Sequence, residues 1–139
     1  MAWIFSVSAE CGPDRTAAER FRDHFAEAIV EGRATRTDLC QSEGAWWCVV
    51  AVPEIDPFDP VAQGRAARQL RDRLRSRPPF RFAHMGVEVD LFRTWEELRG
   101  ERFDHPAMNG VVLSLAAFLH AGSPADFVEF RPGYVWRPA

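Results

Sequence analysis

The 139-residue chain contains no lysine: all 17 of its basic residues are arginine, and its only asparagine is Asn109. Schiff-base chemistry and the lysine-dependent phosphate loop are therefore excluded. A coding bias toward arginine produces such a composition, so the arginines alone do not argue for phosphate recognition. Cysteine is also scarce. Cys11, Cys40 and Cys48 are odd in number and lack CxxC spacing, which argues against a disulfide framework or zinc knuckle and for buried free thiols.

Catalytic signatures are missing as well. None of His24, His84, His105 and His120 stands at a metal-binding spacing from another ligand type. There is no GxSxG elbow, no HExxH and no glycine-rich phosphate turn. Carboxylate pairs such as Glu96 with Glu97, or Glu88 with Asp90, are common on surfaces. The expectation is a protein that is not an enzyme and carries no cofactor and no metal.

Long apolar runs are absent too. The stretch Val111 to Gly122 is about half of what a bilayer span needs. The opening "MAWIFSVSAECGPDR" lacks the basic and apolar regions of a secretory signal, so a cytoplasmic protein without a membrane partner is expected. The formal charge of −3 and the isoelectric point of about 5.8 give no global bias toward nucleic acid.

What the chain does have is apolar and aromatic content, 47% and 12%, enough for one packed core. "AWIFSVS" alternates with the period of a strand. In "GPDRTAAERFRDHFAEAIVEG", Thr16 and Glu19 suggest a capping box, Phe21, Phe25, Ala28 and Ile29 form one stripe, and Gly32 supplies a stop. Residues 34–42 and 45–53 flank "SEGA" and read as a β-hairpin, with Cys40 and Cys48 near each other across it. Asp59 and Pro60 are an N-cap and first helical residue, opening a second helix that runs to about Arg77 and buries Ala66, Ala67, Leu70 and Leu74.

A further strand begins at Phe80, with Val87, Val89 and Leu91 turned to one face and Glu88 and Asp90 to the other. The order β-α-β-β-α-β predicts an α+β fold with a ferredoxin-like split βαβ core over 1–92, both helices lying on one sheet face. Residues 93–139 form a C-terminal αβ extension of the same single domain. It holds a short helix from Thr94, then a strand leading into a short helix in "VVLSLAAFLHAG", then a tail with Tyr134 and Trp136 on one side. Whether it covers the open sheet face or extends beyond it is left open by the sequence.

The third strand, "AWWCVVAVPE", is apolar on both faces. Trp46, Cys48, Val50 and Val52 are assigned to the helix-covered side, so Trp47 needs a second cover. Glu54, Asp56 and Asp59 follow this strand, and Glu88, Asp90, Glu96 and Glu97 would add acid to the same surface. Aromatic anchors within a charged rim are typical of protein interfaces.

In size, charge, "AWWCVVAVPE" and the "FRPGYVWRP" tail, the chain resembles the immunity proteins that accompany bacterial polymorphic and contact-dependent toxins. The resemblance implies a toxin inhibitor that masks a cognate toxin's active site with carboxylates. Trp47 would then be the anchor, with Glu54, Asp56, Asp59, Glu88, Asp90, Glu96 and Glu97 as acidic contacts. One alternative is a ferredoxin-like homodimer, packed through Trp3, Phe5 and Trp47, that binds a small apolar ligand or serves a regulatory role. Another is a nucleic-acid binder using the stripe Arg65, Arg68, Arg71 and Arg75, disfavoured because no aromatic or glycine-rich nucleic-acid motif accompanies it.

Overall fold

In the strand β1 (Phe5–Glu10), Phe5, Val7 and Ala9 alternate with Ser6, Ser8 and Glu10, yet all six residues are buried. A strand with both faces closed belongs at the centre of a sheet. The computed structural model, which describes residues 5–56, 58–76, 78–87 and 110–138, places it there. β1 pairs antiparallel with β5 (Ala45–Val52) on one side and β6 (Phe82–Val87) on the other.

Around this trio runs a seven-stranded sheet in the order β4-β5-β1-β6-β7-β9-β8, in which every described pairing is antiparallel. The remaining members are β4 (Arg36–Ser42), β7 (Val112–Ser114), β8 (Val128–Arg131) and β9 (Tyr134–Trp136). A separate two-stranded ribbon joins β2 (Ile29–Val30) to β3 (Arg33–Ala34). With helices α1 (Arg15–Phe25), α2 (Pro60–Leu74) and α3 (Leu115–His120), the described residues form an α+β fold.

Local chemistry explains most element boundaries. Asp59 Oδ1 accepts the amides of Val61 and Ala62 at 3.0 and 3.1 Å, and Pro60 follows, so α2 begins where expected. The β4–β5 reversal puts Glu43 and Gly44 at φ 51° and 79°, the left-handed pair of a tight hairpin turn.

α1 differs from expectation at both ends. Asp14, not Thr16, is the N-cap, accepting the Thr16 amide at 2.9 Å, and Glu19 pairs with Arg15 at 3.0 Å instead of completing a capping box. The helix stops at Phe25, because Ile29 and Val30 are β-branched and Glu31 and Gly32 at φ 50° and 74° fold them into the β2–β3 ribbon. Thr35 closes the exit, its hydroxyl donating to the Phe25 carbonyl at 2.9 Å. Ile29 is consequently exposed and does not continue the buried stripe.

Two apolar clusters lie on opposite sides of the sheet. On the helix side, Phe21, Phe25, Leu70 and Leu74 meet Phe5, Val7, Cys48, Val50 and Val52, with Trp46 packed at the margin. On the other side Trp47 and Phe82 meet Val111, Leu113 and Ala117, their rings crossing edge to face at 5.2 Å. The assignment of Trp46 and Trp47 to opposite faces therefore holds. Cys40 follows Trp47 while Cys48 joins the helix side, so the two thiols are separated by the sheet instead of meeting across the hairpin.

The C-terminal segment both extends the sheet and covers it. Strands β7, β9 and β8 prolong it beyond β6, and α3 supplies Ala117 and Phe118 over the Trp47 face. Strand positions Glu88, Val89, Asp90 and Leu91, the helix expected from Thr94, and Glu96 and Glu97 lie outside the described residues.

Candidate functional site

Three carboxylates expected at an interface are brought together in the loop joining β5 to α2, and each has a partner within the chain. Glu54 adopts φ 62° and pairs with Arg33 at 3.2 Å, both side chains exposed. Such a surface pair contributes little to stability. Asp56 Oδ1 accepts the Phe58 amide at 2.8 Å, and its carbonyl accepts the Asp59 amide at 3.2 Å and the Gln63 side chain at 3.1 Å. Asp59 is the α2 cap. The loop is thus a built turn with its own hydrogen bonds.

What this turn presents is Phe58. Ile55 enters the core, whereas Phe58 is 83% exposed and Val61, at the start of α2, is 64% exposed. This aromatic ring, beside Asp56 and Asp59, is the most exposed of the large hydrophobic side chains described. The sequence reading missed it because Phe58 belongs to no helical or strand period. Its signal was the repeat of Asp-Pro on both sides, "DPFDP", which holds an apolar residue in a loop that cannot bury it.

Trp47 takes the opposite role. At 2% exposure and packed on Phe82, it is a core side chain and cannot anchor a partner in this fold. Its cover is the chain's own Leu113 and Ala117. The homodimer surface loses its described anchors for the same reason, since Phe5 and Trp47 are buried in separate clusters on opposite faces. Glu88, Asp90, Glu96, Glu97 and Trp3 lie outside the described residues.

Two of the four α2 arginines, Arg65 and Arg73, are committed within the molecule, as is Arg75 at the helix C-cap. Arg65 Nε meets Glu31 Oε1 at 2.5 Å, and this bond, with a second from Gln69, holds the Glu31 carboxyl below its usual range. Arg73 donates twice to the His24 carbonyl, at 2.9 and 2.8 Å, while the His24 ring reaches the Arg73 carbonyl at 2.8 Å, so α1 and α2 are stapled end to end. Arg75 donates to the Phe130 carbonyl and stacks on the Phe130 ring. From the tail, Arg131 returns to the last turn of α2, donating to the Leu74 and Pro78 carbonyls at 2.9 and 2.8 Å. With Arg65 and Arg75 so employed, the expected phosphate-binding stripe keeps only Arg68 and Arg71 without hydrogen-bonded partners among the described residues.

One buried acid escaped the sequence reading. Glu10, 0% exposed, has Trp47 and Phe82 as its cross-strand neighbours. Its Oε1 accepts the Gly12 amide at 2.8 Å. Oε2 forms an ion pair with Arg81 Nε at 2.5 Å, so its charge is countered inside the sheet. Burial pushes the Glu10 carboxyl above its ordinary range, and Arg81 and the Gly12 amide only partly oppose this.

Ser8 stands opposite His84 in register and shares its strand face with Glu10. A hydroxyl, an imidazole and a carboxylate therefore occupy one face, but Ser8 and Glu10 are closed to solvent. No protein-family model, no curated protein and no solved structure matches the chain. Among the described residues no helix is long and apolar enough to cross a membrane.

Proposed function

We propose that the protein is a non-catalytic inhibitor of the immunity type, acting in the cytoplasm, which binds a basic surface of a bacterial toxin domain through the loop carrying Phe58. The observation that carries this reading is the exposed Phe58 ring between Asp56 and Asp59, with Glu54 nearby and Val61 adjoining. An aromatic anchor supplies apolar contact area, and the carboxylates favour a positively charged partner. The order β4-β5-β1-β6, with α1 and α2 against one face, supports a ferredoxin-like split βαβ core as the scaffold for this loop. Such a core keeps the loop at one end of the sheet. Because the turn is hydrogen-bonded in the free protein, little ordering cost is expected on binding.

Immunity genes stand beside the genes of their toxins, so the protein encoded next door is the partner to try. Co-expression of this chain should protect cells from that neighbour, and the purified pair should associate. Phe58→Ala should weaken binding by about thirtyfold, the scale of a hot-spot residue, while leaving the melting temperature unchanged. Failure to bind or protect overturns the inhibitor reading. Full binding by a Phe58→Ala, Asp56→Asn double variant overturns the choice of surface alone.

A further inference from the structure

Gly64 lies inside α2, a position where glycine is disfavoured against alanine, and nothing occurs within 4 Å of the place its Cβ would take. That open wall borders a cavity of about 450 Å³ between α2, the β1–β6 part of the sheet and β9. Phe5 and Met85 line it from the sheet, Ala67 and Arg71 from α2, and Trp136 from β9. The lining is mainly apolar and the volume lies in the range of small-molecule sites.

Arg71 differs from Arg65 and Arg73 on the same helix, and from the exposed Arg68, in being half-buried without a hydrogen-bonded partner among the described residues. Its guanidinium sits over the Trp136 ring, 5.2 Å from the centroid, and among the described residues no hydrogen bond or ion pair engages it. Burial, then the nearby charges of Arg75 and Arg68, lower its pKa, with Asp72 opposing only in part. A half-buried cation with no ion-pair partner among the described residues, stacked on a ring and lining the cavity, is a candidate donor to whatever occupies it.

We propose that this cavity binds a small monocarboxylate with an apolar body of aromatic size. The carboxylate would take a fork of hydrogen bonds from Arg71, and the body would pack against Trp136, Phe5 and Met85. One available guanidinium in an otherwise apolar lining suits a single carboxylate better than a polyphosphate, which needs several donors.

Phenylbutyrate and its neutral amide, phenylbutyramide, are suitable probes, titrated into the full chain by calorimetry with amide chemical shifts followed by NMR. The acid should bind in the submillimolar range and the amide at least about tenfold more weakly, the scale of a charge-assisted hydrogen bond. Shifts should concentrate at Gly64, Gly110 and Trp136. Arg71→Gln should reduce the acid to the affinity of the amide. Gly64→Leu, which fills the cavity while favouring the helix, should abolish binding of both with no loss of melting temperature. If Arg71→Gln does not fold, Gly64→Leu decides the question, because it leaves Arg71 and Trp136 in place. Equal affinity for acid and amide, no binding of either probe in the millimolar range, or unchanged binding by Gly64→Leu overturns the proposal. None of these variants alters Phe58, so the outcome is independent of the toxin-inhibitor reading.

Discussion

Replacing Trp47 by alanine distinguishes a core residue from a binding anchor more sharply than any other single change. Trp47 is 2% exposed and its ring meets Phe82 edge to face at 5.2 Å, so truncation removes both its burial and an aromatic contact. The neighbours that could collapse into the space, Val111, Leu113 and Ala117, are held on β7, its approach and α3, which limits relaxation. Large-to-small changes of this kind cost about 3–5 kcal/mol. In urea, with an unfolding slope of about 1.5 kcal/mol/M for a domain of this size, the midpoint should fall by roughly 2–3 M. Trp46→Ala is the control. Trp46 is only half-buried and covered by Arg15 at 5.0 Å, so its loss should cost about 1–2 kcal/mol. Urea unfolding followed by far-ultraviolet circular dichroism measures both. A Trp47→Ala midpoint within the error of wild type, or a smaller loss than Trp46→Ala, would refute the closed second face.

Asp59→Ala should lose about 1 kcal/mol through its two capping bonds, read as a lower thermal midpoint. Arg131→Met keeps the apolar stem but removes the two bonds to the end of α2 and the contact over Tyr134, and should cost about 2–3 kcal/mol in chemical unfolding. Burial raises the thiol pKa at Cys11 and pushes that of Cys48 up to about 12, so at mildly alkaline pH a thiol reagent should label the part-exposed Cys40 well before either. Equal labelling of all three without denaturant would contradict the burial. For Glu10, a folded-state pKa above the ordinary 4.5 contributes stability below that value, and the contribution is lost as pH rises through the folded pKa. Glu10→Gln should therefore gain on the wild type as pH rises above 4.5, and a wild type that gains on the variant over the same rise would reverse the sign.

The parts of the fold legible in the sequence are those decided within a few residues. Asp59-Pro60 starts α2, Glu43-Gly44 turns the hairpin, and alternation in "AWWCVVAV" announces two apolar faces. The end of α1 was not legible, because Ala28 and Ile29 continue the helical stripe equally well and the outcome depends on a turn at Glu31 and Gly32. Nor was the cover over Trp47, since its residues lie more than sixty positions away. The α2 arginines show the same limit. As a sequence they are a charged stripe, but Arg71 and, at the C-cap, Arg75 lie over Trp136 and Phe130, rings that only the folded tail brings near.

That tail ties the two halves of the molecule into one mechanical unit. Arg75 reaches from α2 to the Phe130 carbonyl, Arg131 reaches back to the Leu74 carbonyl, and Phe80 donates its amide to the Tyr134 hydroxyl at 3.0 Å. The same α2 begins at the Asp59 cap beside Phe58 and lines the cavity through Gly64 and Arg71. Occupation of the cavity and engagement of Phe58 would therefore act on one helix at points separated by about two to four turns. Coupling between them requires that a ligand bind two positions of α2 with different affinity. Both ends of the helix are pinned, by Asp59 at its start and Arg131 at its end, so the physical expectation is two sites that fill independently.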